Sequence, residues 1–393
     1  MQTYDVIVLG VGSMGGAAAA ELAGRGLRVL GLEQFWPGHD RGSAHGGTRI
    51  VRQSYFEGAA YVPLLRRAYV GWRALEEASG RELLTLCGGL YVGDEDSAVV
   101  VGSLASAREH GLAYELLSAG EIRRRFPTMA PAPHAVGVYE AAAGYTRPEE
   151  TTFATVQVAR SHGAEIRFDE RVVRWSPTPG GGVQVETVNG TYGADRLVVT
   201  PGAWAPELLG DLALPLRVER QMFAWFTPEL TDAVPYARYT DVEHPVYVEE
   251  TDGNGILYGF PMVDGPDGGL KLAFFRQDGP PTTPQGVDRT VHPHEVAALR
   301  SRALELFPHL TGPLVTAKTC LYTTTRDEHF VVGLHPGVPQ VAVACGFSGH
   351  GFKFVPVIGE VLADLVVDGA TPHDITLFDP LRGGLRPRAD RVT

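Results

Sequence analysis

Apolar and polar positions follow one another in three styles along this chain, and each style predicts a different kind of structure. The chain opens with a short apolar run at residues 5–9, a helix-forming stretch at 17–24 and a second apolar run at 28–32 that stops at Glu33. Short apolar runs closed by turn residues predict buried strands, and two of them around one helix predict a βαβ unit over residues 4–34. Further along, residues 165–168, 172–175, 183–187 and 196–199 read as short strands, separated by the turn at 177–182 and by Asn189-Gly190. That spacing predicts a β-meander inserted between parallel strands. The middle, roughly 215–315, is richer in proline, with aromatic strand-like runs at 222–226 and 255–260 and a helical stretch at 294–306. The last part returns to the opening style, with a strand at 340–345, a glycine-rich turn at 346–354 and a helix near 357–367.

Length and composition narrow this picture. At roughly 150 residues per domain, 393 residues predict two or three domains or a discontinuous pair, and 44% hydrophobic with 20% charged residues excludes a disordered or fibrous chain. The net charge of −12 repels nucleic acid and anionic lipid, so neither is an expected partner. Cys87, Cys320 and Cys345 are too few and too scattered for a disulfide framework or a structural metal site, and no metal is expected. No apolar run reaches the roughly 18 residues of a membrane span, and the run at 6–20 lacks a basic leader, so a cytoplasmic protein is expected.

The 48 glycines are the informative excess. Gly10, Gly12 and Gly15 give G-x-G-x-x-G between the first strand and its helix. In such a unit the first glycine allows the tight turn, the second lets backbone reach a pyrophosphate, and the third lets helix pack on strand. Glu33 falls where a carboxylate accepts from a ribose hydroxyl, although the motif does not separate NAD from FAD. Three further clusters carry candidate chemistry. His45, Arg49 and Arg52 are spaced four and three apart, which in a helix would put them on one face as a clamp for a carboxylate, or as a solvated basic face. In GFSGHGFKF, residues 346–354, three glycines free backbone N–H groups at a helix start and Lys353 adds a cation. Cys320 lies alone in a β-prone segment and by itself reads as a core thiol.

The order G-x-G-x-x-G, S-x-H-G-x-T-R-x-x-R, V-x-x-G-A-W (199–204), C-x-Y-T-x-T-x-D-E-H-F and G-F-S-G-H-G-F-K-F resembles the monomeric sarcosine oxidase and N-methyltryptophan oxidase family, within the wider glycine-oxidase and D-amino-acid-oxidase-like flavoproteins. The resemblance spans nearly the whole chain. It implies an α/β fold with a Rossmann-like FAD-binding domain, expected from 1–86, 146–214 and 318–393, and a substrate domain on a mixed β-sheet from 87–145 and 215–317. It implies FAD held by Gly10, Gly12, Ser13, Met14, Gly15, Glu33, Gln34, Ser43, Thr48, Arg49 and Val172, and by Phe347, Gly349, His350, Gly351, Phe352 and Lys353 of the second glycine turn. It further implies a covalent thioether from Cys320 to the flavin, His45 and Arg49 near the flavin ring, and Arg52 with Lys353 on the substrate carboxylate. Tyr258 and Tyr322 would stand near the substrate, and Lys271 would promote reaction of reduced flavin with oxygen.

The implied activity is oxidation of a small N-methyl amino acid by oxygen, giving an imine and hydrogen peroxide, in a monomer. A same-fold dehydrogenase, an oxidase of N-methyltryptophan, pipecolate or proline type, and a non-catalytic nucleotide-binding protein are the alternatives. Two departures bear on substrate. The family's S-H-H-G-D-T-R reads Ser43-Ala44-His45-Gly46-Gly47-Thr48-Arg49 here, and the histidine usually found four residues after the lysine is Phe275. A phenyl ring there predicts an apolar pocket wall and a substrate with more apolar bulk than sarcosine.

Overall fold

The computed structural model describes residues 3–251, 255–276 and 279–385. The opening residues form β1 (Thr3–Leu9), α1 (Ser13–Gly24) and β2 (Val29–Leu32), with β1 and β2 parallel. β1 is apolar without alternation because both its faces are covered. Val6 and Val8 join α1 and the helix Val355–Asp368 in one core, while Ile7 and Leu9 join Leu197, Val341 and Val343 in another. Small side chains bring the covering helices close: a Cβ on Gly359 would lie 2.7 Å from Ala17. The parallel strands run Glu165–Arg167, β2, β1, Thr191–Val199 and Val338–Cys345, with Val331–His335 antiparallel at the last. The expected meander is present as Val172–Pro177 and Val183–Thr187, antiparallel to the first part of Thr191–Val199.

The second large sheet has eight strands in the order Leu314–Thr324, Arg217–Phe226, Leu270–Phe275, Gly255–Gly259, Val246–Thr251, Gly89–Gly93, Val136–Glu140 and Glu115–Ser118. It is mixed, because Val246–Thr251 pairs parallel with Gly89–Gly93 while the other pairs are antiparallel. The helix Pro293–Leu306, opened by a His292–Glu295 capping box, buries Leu299, Ala303 and Leu306 against it. Cys320 therefore sits in an edge strand of this sheet, paired with Gln221. A three-stranded sheet, Arg49–Val51, Gly144–Thr146 and Leu84–Leu86, lies apart from both.

The helical reading of the His45 to Arg52 segment is corrected here. Gly46 and Gly47 have φ of +93° and +79°, which no helix accommodates, and Arg49–Val51 is a strand. Two glycines in a row release the chain from the helix, so the cations are presented by a turn and a strand instead.

Candidate active site

A cavity of about 240 Å³ runs along the carboxyl ends of the parallel strands, where open α/β sheets bind ligands. Its floor is the turn after β1. Gly10 has φ +83°, Thr200 Oγ1 donates to its carbonyl at 2.7 Å, and a Cβ on Gly15 would lie 1.9 Å from the same oxygen. Gly15 therefore serves the packing of α1 and does not line the cavity. Gly12, Ser13 and Met14 do, at the start of α1, which has no acidic residue in its first turn and no side-chain cap. Ser13 Oγ is buried without a partner among the described residues. Helix amides left open toward a cavity, beside an orphaned hydroxyl, suit a phosphate.

At one end of the cavity Glu33 accepts from the Val11 N–H (3.0 Å) and the Phe35 N–H (3.1 Å), and burial pushes its carboxyl up to about 7. Gln34, Ser43, Arg49 and Val172 also line this space, as do Phe347, Gly349, Gly351 and Phe352 of the second glycine turn. Gly349 has φ +78°, and a Cβ there would meet the Tyr322 ring at 2.3 Å, so glycine is what lets the turn lie on Tyr322. An elongated cavity with a phosphate-ready helix start and a buried carboxylate fits a dinucleotide such as FAD.

His45, Thr48, Lys271 and Cys320 line neither cavity described here; His45, Lys271 and Cys320 gather around the Phe223 ring, and Thr48 is bound to Lys271. The His45 ring stands 5.8 Å from it, Lys271 Nζ stands 4.8 Å from it, and Cys320 packs in the same apolar cluster. Lys271 Nζ donates to Gly46 O (2.6 Å), Thr48 O (3.0 Å) and Thr48 Oγ1 (3.2 Å). Burial, and then Arg49, lower its pKa well below that of an ordinary lysine. Burial also takes His45 down to about 3, with Arg49 and Lys271 adding to the effect, so the imidazole is neutral. Both its ring nitrogens lack a partner among the described residues, the second orphaned group that a bound ring system would satisfy. Burial raises the Cys320 thiol, against the pull of Arg49, Lys271 and Arg289 toward thiolate.

A second cavity of about 60 Å³ adjoins the first, sharing Arg49, Tyr322, Gly349 and Phe352 as lining. Tyr258, Phe275 and Phe56 give it aromatic walls, and Arg52 and Lys353 supply two buried cations. His350, expected against the cofactor, lines this smaller cavity, as does Lys353. Arg52 Nη2 pairs with Glu57 Oε2 at 2.6 Å, both side chains buried. Burial alone would raise the Glu57 carboxyl, but Arg52, His350 and Lys353 hold it down at about 2. Lys353 is taken down to about 7 by burial and by Arg52. Its Nζ donates to His350 O (2.7 Å) and, at 3.5 Å, to Tyr55 Oη. His350 donates from Nε2 to Glu328 O (2.9 Å), so its Nδ1 accepts from the Tyr55 hydroxyl at 2.5 Å. Tyr258 and Tyr322 bring their hydroxyls to 3.5 Å of each other on the wall nearer the large cavity.

Sequence reasoning missed several contributors. Glu149 accepts from the Gly46 and Gly47 N–H groups at 2.6 and 3.1 Å, standing in for the acid that the 43–49 segment lacks. Tyr55, Phe56 and Glu57 carry no motif, Thr200 fills an open position of V-x-x-G-A-W, and only proximity in the fold reveals them. Glu360, Asp364 and His373 bring ligand atoms within 4.8 Å of one another, but Arg67 and Arg25 already pair with the two carboxylates. Among the described residues no helix is long and apolar enough to cross a membrane.

Known proteins resemble the chain over nearly its whole length. The family profile of FAD-dependent oxidoreductases matches residues 5–365. The chain is 52% identical over 387 residues to a monomeric sarcosine oxidase of Streptomyces avermitilis, covering 98% of this chain and 99% of that one. It is 32% identical over 386 residues to an N-methyl-L-tryptophan oxidase of Yersinia pestis, covering 96% and 99%. Among solved structures, NikD, an unusual amino acid oxidase essential for nikkomycin biosynthesis, superimposes in its open form with a TM-score of 0.85 at 27% identity, over 97% of this chain and 98% of that one.

Proposed function

Because the chain belongs to the FAD-dependent oxidoreductases, we propose that it oxidises a small secondary, N-methyl amino acid with oxygen as acceptor. The products are an imine, which hydrolyses to an aldehyde and a primary amino acid, and hydrogen peroxide. One observation carries this reading: a small aromatic cavity holding two buried cations adjoins the dinucleotide cavity and shares four lining residues with it. The cations give a substrate carboxylate its place, and the aromatic walls exclude water from the N-methyl end.

FAD, when bound, supplies the two-electron acceptor for the amine. Gly12, Ser13 and the open amides of α1 would hold its pyrophosphate, Glu33 its ribose, and Cys320 a covalent thioether. Arg52 and Lys353 bind the carboxylate, and Glu57 moderates the repulsion between them. Tyr258 and Tyr322 orient the amine toward the large cavity. Lys271 and Arg49 set the positive field, which favours anionic products of oxygen reduction, and neutral His45 can add only an N–H donor. The same proposal includes a two-domain division at the boundaries expected from sequence, although the strand carrying Cys320 pairs in the second sheet. It also includes a monomer, supported by the name of the Streptomyces relative, and a cytoplasmic location. Anaerobic mixing of the purified yellow protein with a panel of N-methyl and cyclic amino acids tests it. Bleaching of the flavin by at least one member is expected, and no bleaching by any rejects it.

A further inference from the structure

The outer wall of the small cavity ends in an ion pair that the chemistry above does not use. Arg276 follows Phe275 at the end of the strand Leu270–Phe275, and its Nη1 donates to Glu328 Oε2, in the loop ahead of Val331–His335. The pair therefore ties the end of that strand to the loop that leads from Leu314–Thr324 of the second large sheet to Val331–His335 of the first. Both residues have left-handed backbone, with φ of +57° and +63°, which side-chain-bearing residues adopt only where the surroundings impose it. Each is also fastened to the cavity wall. The Arg276 guanidinium lies 4.5 Å from the centre of the Phe275 ring, and Glu328 O accepts from His350 Nε2 at 2.9 Å. Phe275 in turn meets Phe56, Tyr258 and Tyr322 edge-on, each with ring centres 6.4 Å apart. The Arg276 and Glu328 side chains are 23% and 48% exposed, which puts the pair between that aromatic wall and solvent.

We propose that the Arg276–Glu328 ion pair is a strap that clamps Phe275 in the cavity wall and thereby sets the upper size of the amino acid admitted, making Arg276 and Glu328 specificity-determining residues. The inference rests on the reading of this cavity as the substrate site. With the strap closed, the Phe275 ring cannot swing outward without separating the charges or losing the guanidinium from its face. A carboxylate with a small or aliphatic side chain fits behind it, and one bearing a phenyl ring does not. Partial exposure makes the pair sensitive to salt, so discrimination should also relax as ionic strength rises.

The test titrates propionate and 3-phenylpropionate into the flavin-loaded protein and reads the perturbation of the flavin spectrum for wild type, Glu328→Gln, Arg276→Gln and the conservative variant Arg276→Lys. The ratio of the two dissociation constants, large ligand over small, should fall at least fivefold in each Gln variant and stay near the wild-type value in Arg276→Lys, which keeps a cation both for Glu328 and for the Phe275 face. Retention by the lysine distinguishes a strap from mere damage to the loop. A ratio unchanged in both Gln variants, with wild type binding propionate normally, overturns the strap and leaves the reading of the cavity standing. A wild-type flavin spectrum that responds to neither ligand overturns that reading and the strap with it.

Discussion

The two cavities share four lining residues and are built on opposite principles. The large one leans on backbone: glycines at special φ and open helix amides, with the buried carboxylates Glu33 and Glu170 among its lining. The small one is made of side chains, with three cations, an anion and six Phe or Tyr rings drawn from segments between residues 49 and 353. A backbone site recognises a constant ligand and tolerates change in most side chains around it. A side-chain site recognises one substrate and can be retuned by single substitutions. The variants below separate the two.

The largest effect expected is outside the lining of both, at Cys320 beside Phe223. Cys320→Ser should convert flavin that stays with the denatured polypeptide into flavin released on acid precipitation. Wild-type protein that sheds all of its flavin would remove the thioether while leaving FAD binding intact. Next, Lys271→Met should slow reoxidation of reduced flavin by oxygen by about 10²-fold, roughly 3 kcal/mol, with a smaller effect on anaerobic reduction by substrate. Stopped-flow traces with unchanged reoxidation would reduce Lys271 to a brace for the Gly46–Thr48 turn, the only role its three hydrogen bonds require.

Within the small cavity, Arg52→Ala or Lys353→Met should weaken a carboxylate inhibitor by roughly 10- to 100-fold, from about 1.5 to 3 kcal/mol per charge-assisted contact, and a neutral amine far less. Equal weakening of both ligands would point to unfolding of the cavity, which thermal denaturation would reveal. A pH profile sharpens the assignment. Lys353 is lowered to about 7, so it is protonated below that pH and must take up a proton to hold a carboxylate above it. Affinity should be flat below about pH 7 and fall up to tenfold per unit above it, and Lys353→Met should remove that fall. A wild-type profile flat up to pH 9 would show that Lys353 stays charged in the holoenzyme.

The smallest effect concerns Phe275. If its ring forms an apolar wall, N-methylleucine should exceed sarcosine in kcat/KM by about tenfold, since each buried methylene contributes up to about 0.8 kcal/mol, and Phe275→His should narrow the gap. Preference for sarcosine in wild type, unchanged by the substitution, would contradict the wall.

This contrast also explains what could be read from the sequence. The large cavity is legible because its parts are local: Gly10, Gly12 and Gly15 act within one turn of chain, and Glu33 follows at the fixed length of one βαβ unit. The meander and the later strands are visible for the same reason, as short runs closed by turn residues. The small cavity is not local. Glu57 and Phe56 are one turn beyond Arg52, yet nothing in their spacing indicates that the carboxylate folds back onto the guanidinium. Tyr55 meets His350 across 295 residues, a contact that no periodicity encodes. Helical spacing misled at His45, Arg49 and Arg52 because the two intervening glycines, easily read as filler, decide the backbone there.

The central claim is that the small cavity delivers an N-methyl amino acid to a flavin that oxygen then reoxidises. Oxygen uptake and hydrogen peroxide release, measured together with the aldehyde formed from sarcosine and from N-methylleucine, test it most directly. The account predicts one peroxide and one aldehyde for each oxygen consumed with at least one of these substrates, abolished when the carboxylate is replaced by a methyl ester. Turnover that proceeds equally well with the ester, or that consumes no oxygen and requires an added dye, would contradict it.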